Sequence, residues 1–394
     1  MKYADAIGRP VNHGRRLKIC VIGLRGVPGI MGGTESHCEQ LYPRLKALRP
    51  DYDLCIVGRR PYISGAALDF KGVRVVPLPA ARSRYFEAIS NTALAVLYAR
   101  FVFGADLLHI HNIGPALMGP LARLLGMKLV VTYHSKNFEH AKWNGFAKAV
   151  LRFGERCAVA AAHKVVVISQ SVTEELQRRY PKRRPNFVFV PNGAAEFPTV
   201  ADDYERSLLD HFGLERGRYV LAVGRLVPEK SLHTLIEAYR AANPDFKLVI
   251  AGRADHEDDY SRALLRHASD RICFTGFQGQ AELGVLYRNA SLFVLPSTHE
   301  GLPIAALEAA SLNVPVLLSD IRPNLDIDLP AQCYFPVGDA DALRGKLMQP
   351  HDSYRVDGHA IARRFDWSTV ARQTDEVYAA VCPSPAMRAS AQSV

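Results

Sequence analysis

The sequence predicts an α/β protein built from two doubly wound parallel sheets that face each other across a cleft. Short apolar strand patterns alternate with longer helical patterns, which is typical of a parallel sheet with crossover helices. The alternation stops at Pro191-Asn192-Gly193 and the polar stretch that follows, and then starts again. With 394 residues, the chain is long enough for two domains of about 100–200 residues each.

The predicted strands are short apolar runs, as expected when helices cover both faces of a sheet. In the first half they are residues 18–23, 54–57, 73–76, 107–110, 128–132, 164–168 and 187–190. In the second half they are residues 219–223, 247–250, 272–275, 292–295 and 314–317. We place the two domains at 1–197 and 198–366, followed by a helix over 367–382 and a disordered tail over 383–394.

Composition and charge bound the class of protein. The chain is 48% hydrophobic and 22% charged, which is the balance of an ordinary globular protein. Residues 1–197 carry 29 Lys and Arg against 13 Asp and Glu, whereas residues 198–394 carry 20 against 26. The basic half suits an anionic membrane leaflet or a lipid phosphate, although a solvated basic surface explains it equally well. Nucleic acid is not favoured, because no helix-turn-helix, zinc-finger or RNA-stacking pattern is found.

Three further features concern the compartment. The seven cysteines are scattered without a CxxC pair, which favours reduced, buried thiols in a cytosolic protein over disulfides or a zinc site. The N-terminal sixteen residues lack the apolar core that a secretory signal needs. The longest apolar stretch, residues 86–105, is interrupted by Glu87 and Arg100, so we interpret it as a core-facing helix and not as a membrane span.

The first candidate motif is the glycine-rich loop over residues 23–35, directly after the first predicted strand. Gly32 and Gly33 open a helix whose free N–H groups suit an anion, and Thr34 follows them. The loop fits neither the GxGxxG nor the Walker pattern. A tight strand-to-helix turn would explain the same glycines.

The second candidate is His134, which follows the strand over residues 128–132. Ligands of doubly wound sheets bind outside the carboxyl ends of the strands, so His134 is predicted to face the cleft and to bond a hydroxyl. His109 and His111 end the preceding strand in a similar way. A structural role is the alternative for each of these histidines.

The third motif is Gly224-Arg225-Leu226 with Lys230. The strand ends at Gly224, and a helix begins near Ser231, so the two cations lie in a loop at the mouth of the second sheet. Fixed cations at this place suit a diphosphate and the charge that grows as it leaves. Two ordinary surface cations would be the alternative.

The fourth motif, Glu300-Gly301-Leu302-Pro303 with Glu308, is the most specific. It follows the predicted strand over 292–295, and Pro303 suits the first position of a helix. Free N–H groups around Gly301 and Leu302 suit an anion or sugar hydroxyls. The two carboxylates can accept hydrogen bonds from hydroxyls of a sugar and of a ribose.

Together these motifs resemble the retaining glycosyltransferases of the GT-B fold, family 4, over nearly the whole chain. The motifs around Arg225, Lys230, Glu300 and Glu308 carry the resemblance. Supporting segments are Pro191-Asn192-Gly193, Ala251-Gly252, Ala254-Asp255, Thr275-Gly276 and Phe365-Asp366-Trp367. The glycine-rich loop and the stretch over residues 132–143 are similar to bacterial rhamnosyl- and glucosyltransferases of surface polysaccharide assembly.

The resemblance implies two Rossmann-like domains and a role for each matching residue. Arg225 and Lys230 would bind the donor diphosphate, Glu300 the donor sugar and Glu308 the ribose, while His134 would meet the sugar from the first domain. Gly224, Gly301, Leu302 and Pro303 would complete the donor site, and Gly32, Gly33 and Thr34 would lie near the phosphates or the acceptor. The 367–382 helix would cross back to the first domain, so that the cleft closes as a hinge.

The implied reaction moves a hexose or deoxyhexose from a nucleotide-diphosphate sugar to a glycan or lipid-linked acceptor, with retention of configuration. It needs no metal and no cofactor, and front-face displacement is the usual proposal. The expected location is cytoplasmic, with peripheral membrane contact through residues 1–197 and no nucleic-acid partner. A nucleotide-sugar epimerase of the same fold and a non-catalytic protein that binds anionic surfaces or nucleic acid are the alternatives.

Two acidic pairs could be compared with the metal-binding DxD motif of other glycosyltransferases. They are Asp51 with Asp53, and Asp326 with Asp328. Because the resemblance implies no metal, we interpret both pairs as structural. Ser135 follows His134 where many members of the family have glycine, so the local contact with the sugar is open.

Overall fold

The computed structural model describes residues 16–63, 67–81, 87–139 and 145–383. The expected absence of a leader over residues 1–16 and the disordered tail expected over 383–394 fall outside this part of the chain, except for Arg16 and Pro383. Within it, no helix combines the length and the apolar character that a membrane span requires.

The first eight strands form one sheet, in the order β3-β4-β2-β1-β5-β6-β7-β8. Their bounds are β1 Lys18–Ile22, β2 Asp53–Arg59, β3 Leu68–Phe70, β4 Val73–Leu78, β5 Leu107–His111, β6 Lys128–Tyr133, β7 Lys164–Val167 and β8 Phe187–Phe189. All pairs are parallel except β3 with β4, which forms an antiparallel edge that the sequence patterns did not predict. The edge strand has three residues, too few to show a period.

Six strands form the second sheet, in the order β11-β10-β9-β12-β13-β14, and all of its pairs are parallel. Their bounds are β9 Tyr219–Val223, β10 Lys247–Ala251, β11 Ile272–Gly276, β12 Leu292–Leu295, β13 Val316–Ser319 and β14 Tyr334–Phe335. The predicted architecture of two doubly wound parallel sheets is therefore confirmed. The two-residue strand β14 was not predicted.

Helices cover both faces of each sheet. Those of the first half are α1 Gly33–Leu48, α2 Glu87–Tyr98, α3 Gly119–Leu124, α4 Gly145–Ala161 and α5 Gln170–Arg179. Those of the second half are α6 Asp202–His211, α7 Leu232–Ala242, α8 Asp259–Leu265, α9 Gln280–Arg288, α10 Ile304–Ser311, α11 Arg322–Leu325, α12 Ala340–Leu347, α13 Gly358–Arg364 and α14 Trp367–Val381. A π-helical turn over Ala99–Phe103 extends α2.

The last helix, α14, packs on α1 of the first sheet. Its N-terminus is capped by Asp366, whose carboxylate accepts hydrogen bonds from the backbone N–H groups of Ser368 and Thr369. Tyr378 on α14 is fully buried against the first domain, and Asp375 pairs with Arg49 at 2.9 Å. The chain therefore passes between the sheets twice, before α6 and before α14.

The two crossings lie side by side. The backbone N–H of Ala194 donates to the carbonyl of Phe365 at 2.7 Å, and Trp367 packs closely on Gly193. A β-carbon on Gly193 would fall 2.7 Å from the Trp367 ring, so this glycine permits the contact. We interpret these two adjacent segments, which join in the isolated bridge between Ala194 and Asp366, as the hinge between the two sheets.

Candidate functional site

The carboxyl ends of both sheets open into one cleft with a cavity volume of about 1080 Å³. Each sheet reverses its strand order next to its first strand, between β1 and β5 and between β9 and β12. Loops after these strands therefore meet at the cleft. Twelve residues of the four sequence motifs line it, whereas His109 and His111 are buried and do not. The twelve are Gly32, Gly33, Thr34, His134, Gly224, Arg225, Lys230, Glu300, Gly301, Leu302, Pro303 and Glu308.

The glycine-rich loop brings a cation into the cleft that the sequence motifs did not single out. Arg25 lies in this loop, and its backbone N–H and Nε both donate to the Glu35 carboxylate, at 3.0 and 3.1 Å. Gly32 has a φ of 148°, and a β-carbon there would overlap both side chains. Glycine is favoured at this position because its φ lies in a region that L-residues rarely adopt, while the Arg25 and Glu35 side chains close over it.

Arg25 also reaches across the cleft to the second domain. Its Nη1 lies 2.5 Å from Asp255 Oδ1, while Arg225 Nη1 lies 2.8 Å from the other oxygen of the same carboxylate. Burial disfavours the charge of Asp255, but Arg225 and Arg25 together hold its pKa below the ordinary value. One carboxylate therefore joins the two domains through two guanidinium groups.

Lys230 and Glu300 form a second ion pair on the floor of the cleft, with 2.5 Å between Lys230 Nζ and Glu300 Oε1. They lie in the loops after β9 and β12, which are neighbours in the sheet. The backbone N–H of Thr298 donates to the carbonyl of Glu229 at 2.9 Å and ties the two loops together. The sequence motifs predicted that both residues lie at the cleft, but only the strand order of the folded sheet shows that they contact each other.

Glu308 lies one turn into α10, where Tyr287 donates a hydrogen bond to it at 3.1 Å. Burial raises the pKa of Glu308 to about 7, although the Tyr287 hydrogen bond works in the opposite direction. This carboxyl group is therefore partly protonated near neutral pH. A hydroxyl donor from a ligand would favour its ionised form.

The helix that carries Glu308 begins at Ile304, so the prediction that Pro303 takes the first helical position was wrong. Pro303 is the residue before the helix, with an extended backbone at φ −74° and ψ 107°. Its fixed φ suits both places, which is why the sequence did not separate them. Ile304 and Ala305, in the first helical turn, line the cleft.

Gly301 meets the first domain directly. A β-carbon at Gly301 would overlap the carbonyl oxygen of His134, and would lie 2.8 Å from Ile168. Nearby, the Asn192 side chain donates to the Leu302 carbonyl at 2.7 Å. The loop that carries Gly301 and Leu302 thus contacts the strand end that carries His134.

His134 is the first member of a buried chain of hydrogen bonds. Its Nε2 lies 2.8 Å from His111 Nδ1, and His111 Nε2 lies 2.7 Å from the Tyr42 hydroxyl. Tyr42 and Tyr378 both contact His109 Nδ1, at 3.0 and 2.6 Å. The chain thus runs from the cleft, through α1, to α14.

Burial keeps these histidines neutral. It lowers the pKa of His109 to about 3, and it lowers the pKa values of His111 and His134 well below the ordinary range, with a further contribution from neighbouring histidines. With Tyr378 as the donor to His109 Nδ1, Tyr42 donates to His111 Nε2 and His111 donates to His134 Nε2. This assignment places the proton of His134 on Nδ1.

His37 lies close to His111 and His134, so the three histidines could be compared with a metal site. One nitrogen each of His37, His111 and His134 lies within 4.8 Å of the others, all three in buried side chains. His111 Nδ1 and His134 Nε2 bond each other, and His37 Nδ1 bonds the Asn192 side chain. We therefore interpret the three histidines as members of hydrogen-bond networks and not as an open set of metal ligands.

The two DxD-like pairs lie elsewhere. Asp51 bonds Arg49 near the start of β2, and Asp326 on the second domain accepts from Ser169 and Ser171 at the start of α5. Asp326 is 2.5 Å from the Ser169 hydroxyl, which makes it a link between the domains. Neither arrangement resembles a ligand set that faces the cleft.

Replacing Gly301 by alanine tests the close approach of the domains. We expect Gly301→Ala to enlarge the radius of gyration in small-angle X-ray scattering and to cost about 1–3 kcal/mol of unfolding free energy, because the new methyl group overlaps the His134 carbonyl. Gly345→Ala is the matched control, since a β-carbon there meets nothing within 4 Å. A Gly301→Ala scattering curve identical to that of the wild type would contradict the contact.

Two family models match the chain, one on each half. The model described as a glycosyl transferase 4-like domain matches residues 32–193. The model described as glycosyl transferases group 1 matches residues 210–349. The first begins at Gly32, near the end of the glycine-rich loop, and ends at Gly193. The second contains the Arg225–Asp255 and Lys230–Glu300 pairs and α10.

Individual proteins are similar along nearly the whole chain. Alpha-maltose-1-phosphate synthase of Mycobacterium tuberculosis is 26% identical over 397 residues, which covers 93% of this chain and 100% of the relative. Sucrose-phosphate synthase of Thermosynechococcus elongatus superposes with a TM-score of 0.78 at 22% identity, over 92% of this chain and 98% of the other. Anabaena HepE in complex with UDP-glucose gives a TM-score of 0.71 at 19% identity, over 92% and 100%. With two glycosyltransferase models on its two halves and two Rossmann-like sheets around one cleft, the chain is a glycosyltransferase of the GT-B fold.

Proposed function

We propose that this glycosyltransferase moves a hexose or deoxyhexose from a nucleotide-diphosphate sugar to a glycan or lipid-linked acceptor, with retention of configuration. The observation that carries the proposal is the convergence of Arg225, Lys230 and Glu300 on one side of the cleft with His134 on the other. Cations that face a carboxylate suit a diphosphate joined to a sugar. The UDP-glucose bound by Anabaena HepE supports this donor class.

Donor binding would exchange one set of charge pairs for another. Lys230 now bonds Glu300, and Arg225 bonds Asp255. The donor diphosphate would draw both cations to its oxygens and free Glu300 to accept hydrogen bonds from sugar hydroxyls. The same cations then stabilise the charge that develops on the departing diphosphate, with no bound metal or organic cofactor.

His134 would act as a neutral hydrogen-bond donor to the sugar. We assign the proton to its Nδ1, with Nε2 accepting from His111 in the buried chain that continues to Tyr42. We propose front-face displacement, in which the leaving phosphate takes the acceptor proton, because Glu300 is then occupied by hydrogen bonds from sugar hydroxyls. The bond from the anomeric carbon to the phosphate oxygen breaks on the face where the acceptor oxygen bonds.

The acceptor side of the cleft is formed by the first domain. Thr34 and the glycines before it lie there, beside apolar residues of α2 and α4. We propose a role in surface or exopolysaccharide synthesis in the cytoplasm, at the inner face of the membrane. The seven cysteines, all free thiols and five of them buried, support a reducing compartment.

The site is tested by Lys230→Ala and Glu300→Gln. We expect each variant to lower kcat by roughly 10²–10³-fold, because each removes a group that interacts with developing charge or with the sugar. The assay follows release of nucleoside diphosphate, using the nucleotide sugar that gives the largest thermal shift in a panel. Lys247→Ala, a change on the second domain at the start of β10, is the control.

Product analysis separates the rival reactions. Proton NMR of the glycoside gives its anomeric configuration, and inversion would overturn the proposed retention. Conversion of the donor without acceptor would indicate an epimerase. Wild-type turnover in both variants would remove the site assignment.

The hydrogen-bond chain predicts an effect of a residue remote from the substrate. Tyr378→Phe leaves His109 Nδ1 without its closest donor and releases Tyr42 from its orientation. We expect kcat to fall about tenfold or more with little change in donor KM, because His134 loses its fixed proton position. Tyr239→Phe removes a buried hydroxyl of the second domain and serves as the control for stability. Equal kcat in the two variants would argue for a purely structural role.

Donor affinity should depend on pH through Glu308. Because its pKa is raised to about 7, the carboxyl group is largely protonated below this pH. The ionised carboxylate is the better acceptor for hydrogen bonds from two ribose hydroxyls. We therefore expect the donor Kd to rise as pH falls below 7, by up to about tenfold per pH unit. Calorimetry from pH 6 to pH 8 measures it.

Glu308→Gln is the control for that dependence, since the amide does not titrate. The wild type and the variant should then differ in the slope of log Kd against pH. A flat wild-type profile, or a profile that survives in Glu308→Gln, would contradict the assignment of Glu308 to the ribose.

A further inference from the structure

One face of the first domain exposes apolar side chains that the described chain does not cover. It is formed by α2 with its π-helical turn, α3 and α4, which pack on the same face of the first sheet, opposite α1 and α14. We call it the outer helical layer. Its large exposed side chains are Leu94, Leu97, Phe101 (70% exposed), Val102 (71%), Leu124 (84%), Phe146 (78%) and Phe153 (58%).

The prediction of a core-facing helix over 86–105 is thus correct for one side of α2 only. Ala95, Val96 and Phe103 are buried against the sheet, while the opposite side remains apolar and exposed. On a surface that faces water, apolar side chains are normally interspersed with acidic and other polar side chains. An apolar surface on both sides of a helix indicates that the outer side meets a partner.

The charge of the outer helical layer indicates an anionic partner. Exposed cations lie among the apolar residues of the layer, at Arg100, Arg123, Lys128, Arg152 and Arg156. The carboxylates within described residues 87–164 are already engaged: Glu87 bonds Arg59, Asp106 bonds the Lys18 backbone, Glu139 bonds Lys136, and Glu155 bonds Tyr133. The layer therefore presents positive charge with no unpaired acid among them.

We propose that the outer helical layer docks on an anionic lipid bilayer, with its apolar side chains in the headgroup region and its arginines on lipid phosphates. A second copy of the chain fits less well, since symmetric contact would bring like charges together. Single-stranded nucleic acid would stack on the phenylalanines, but Leu94, Leu97, Val102 and Leu124 offer no aromatic face.

The outer helical layer is continuous with the cleft, so docking would place the cleft next to the bilayer. Ile89 at the start of α2 and Phe146 and Leu151 on α4 line the cavity, as do Leu117 and Met118 between these helices. A docked protein would hold this apolar edge of the cleft at the bilayer. The acceptor would then be joined to a lipid, an inference that rests on the proposed function, whereas the docking itself does not.

Vesicle flotation of the full chain tests the docking. Vesicles of phosphatidylcholine alone are compared with vesicles that also contain about one third phosphatidylglycerol, at low and high salt. We expect binding to the anionic vesicles that weakens with salt. The double variants Phe101→Ser with Phe153→Ser, and Arg152→Glu with Arg156→Glu, should each bind on the order of tenfold more weakly.

Matched controls lie on the second domain. Met348→Ser changes a side chain that is 58% exposed, as Phe153 is, and Arg206→Glu reverses an exposed charge on α6. Both controls should float as the wild type does. All variants should release nucleoside diphosphate from the donor in solution at the wild-type rate, because none of the changed residues lines the cleft.

Three outcomes would overturn the docking. They are wild-type protein that stays unbound to anionic vesicles, layer variants that float as the wild type does, and apolar variants that change a dimer to a monomer in light scattering. Tight binding of single-stranded RNA in place of vesicles would assign the layer to nucleic acid. If the protein does not bind vesicles but still turns over the donor, the proposed reaction is kept and the docking is rejected. If it binds vesicles but does not turn over the donor, the docking is kept and the proposed reaction is rejected.

Discussion

The whole site depends on how closely the two sheets approach each other at Gly301. The carbonyl of His134, at the end of β6, occupies the space that a side chain at position 301 would need. Because glycine leaves that space empty, the loop of the second domain that carries Glu300 lies against the strand end that carries His134. The double crossing of the chain, with Ala194 bonded to Phe365, keeps the sheets in the register that this contact requires. A cleft with a polar wall on each side follows from this one constraint.

Ion pairs hold the charged side chains of the cleft in place when no donor is bound. Arg225 and Lys230 each have a carboxylate partner, and Asp255 holds a guanidinium group from each domain. Such pairs keep long side chains ordered without fixing them permanently, since a diphosphate offers more acceptor oxygens than one carboxylate. Asp255 therefore couples the positions of Arg25 and Arg225. A ligand that draws Arg225 away would also change the contact between the domains.

The sequence predicted the sheets and most of the site because both follow from local patterns. Apolar strand runs fix the parallel sheets, and residues that follow strand ends, such as Arg225 and Glu300, are placed at the cleft by topology alone. It did not predict the role of Arg25, whose partner Asp255 lies 230 residues away, nor the bond from Tyr378 on α14 to His109. These contacts arise from tertiary packing that no short-range period records. The edge strand β3 and the strand β14 were missed because so few residues show no alternation.

The most direct measurement is an experimental structure of the protein with its nucleotide sugar bound. The account predicts diphosphate oxygens at hydrogen-bond distance from Lys230 Nζ and from the Arg225 guanidinium, with Glu300 turned from Lys230 to a sugar hydroxyl. His134 should then contact the sugar from the opposite wall. A bound donor above an intact Lys230–Glu300 pair, or one seated away from both domains' strand ends, would contradict the account.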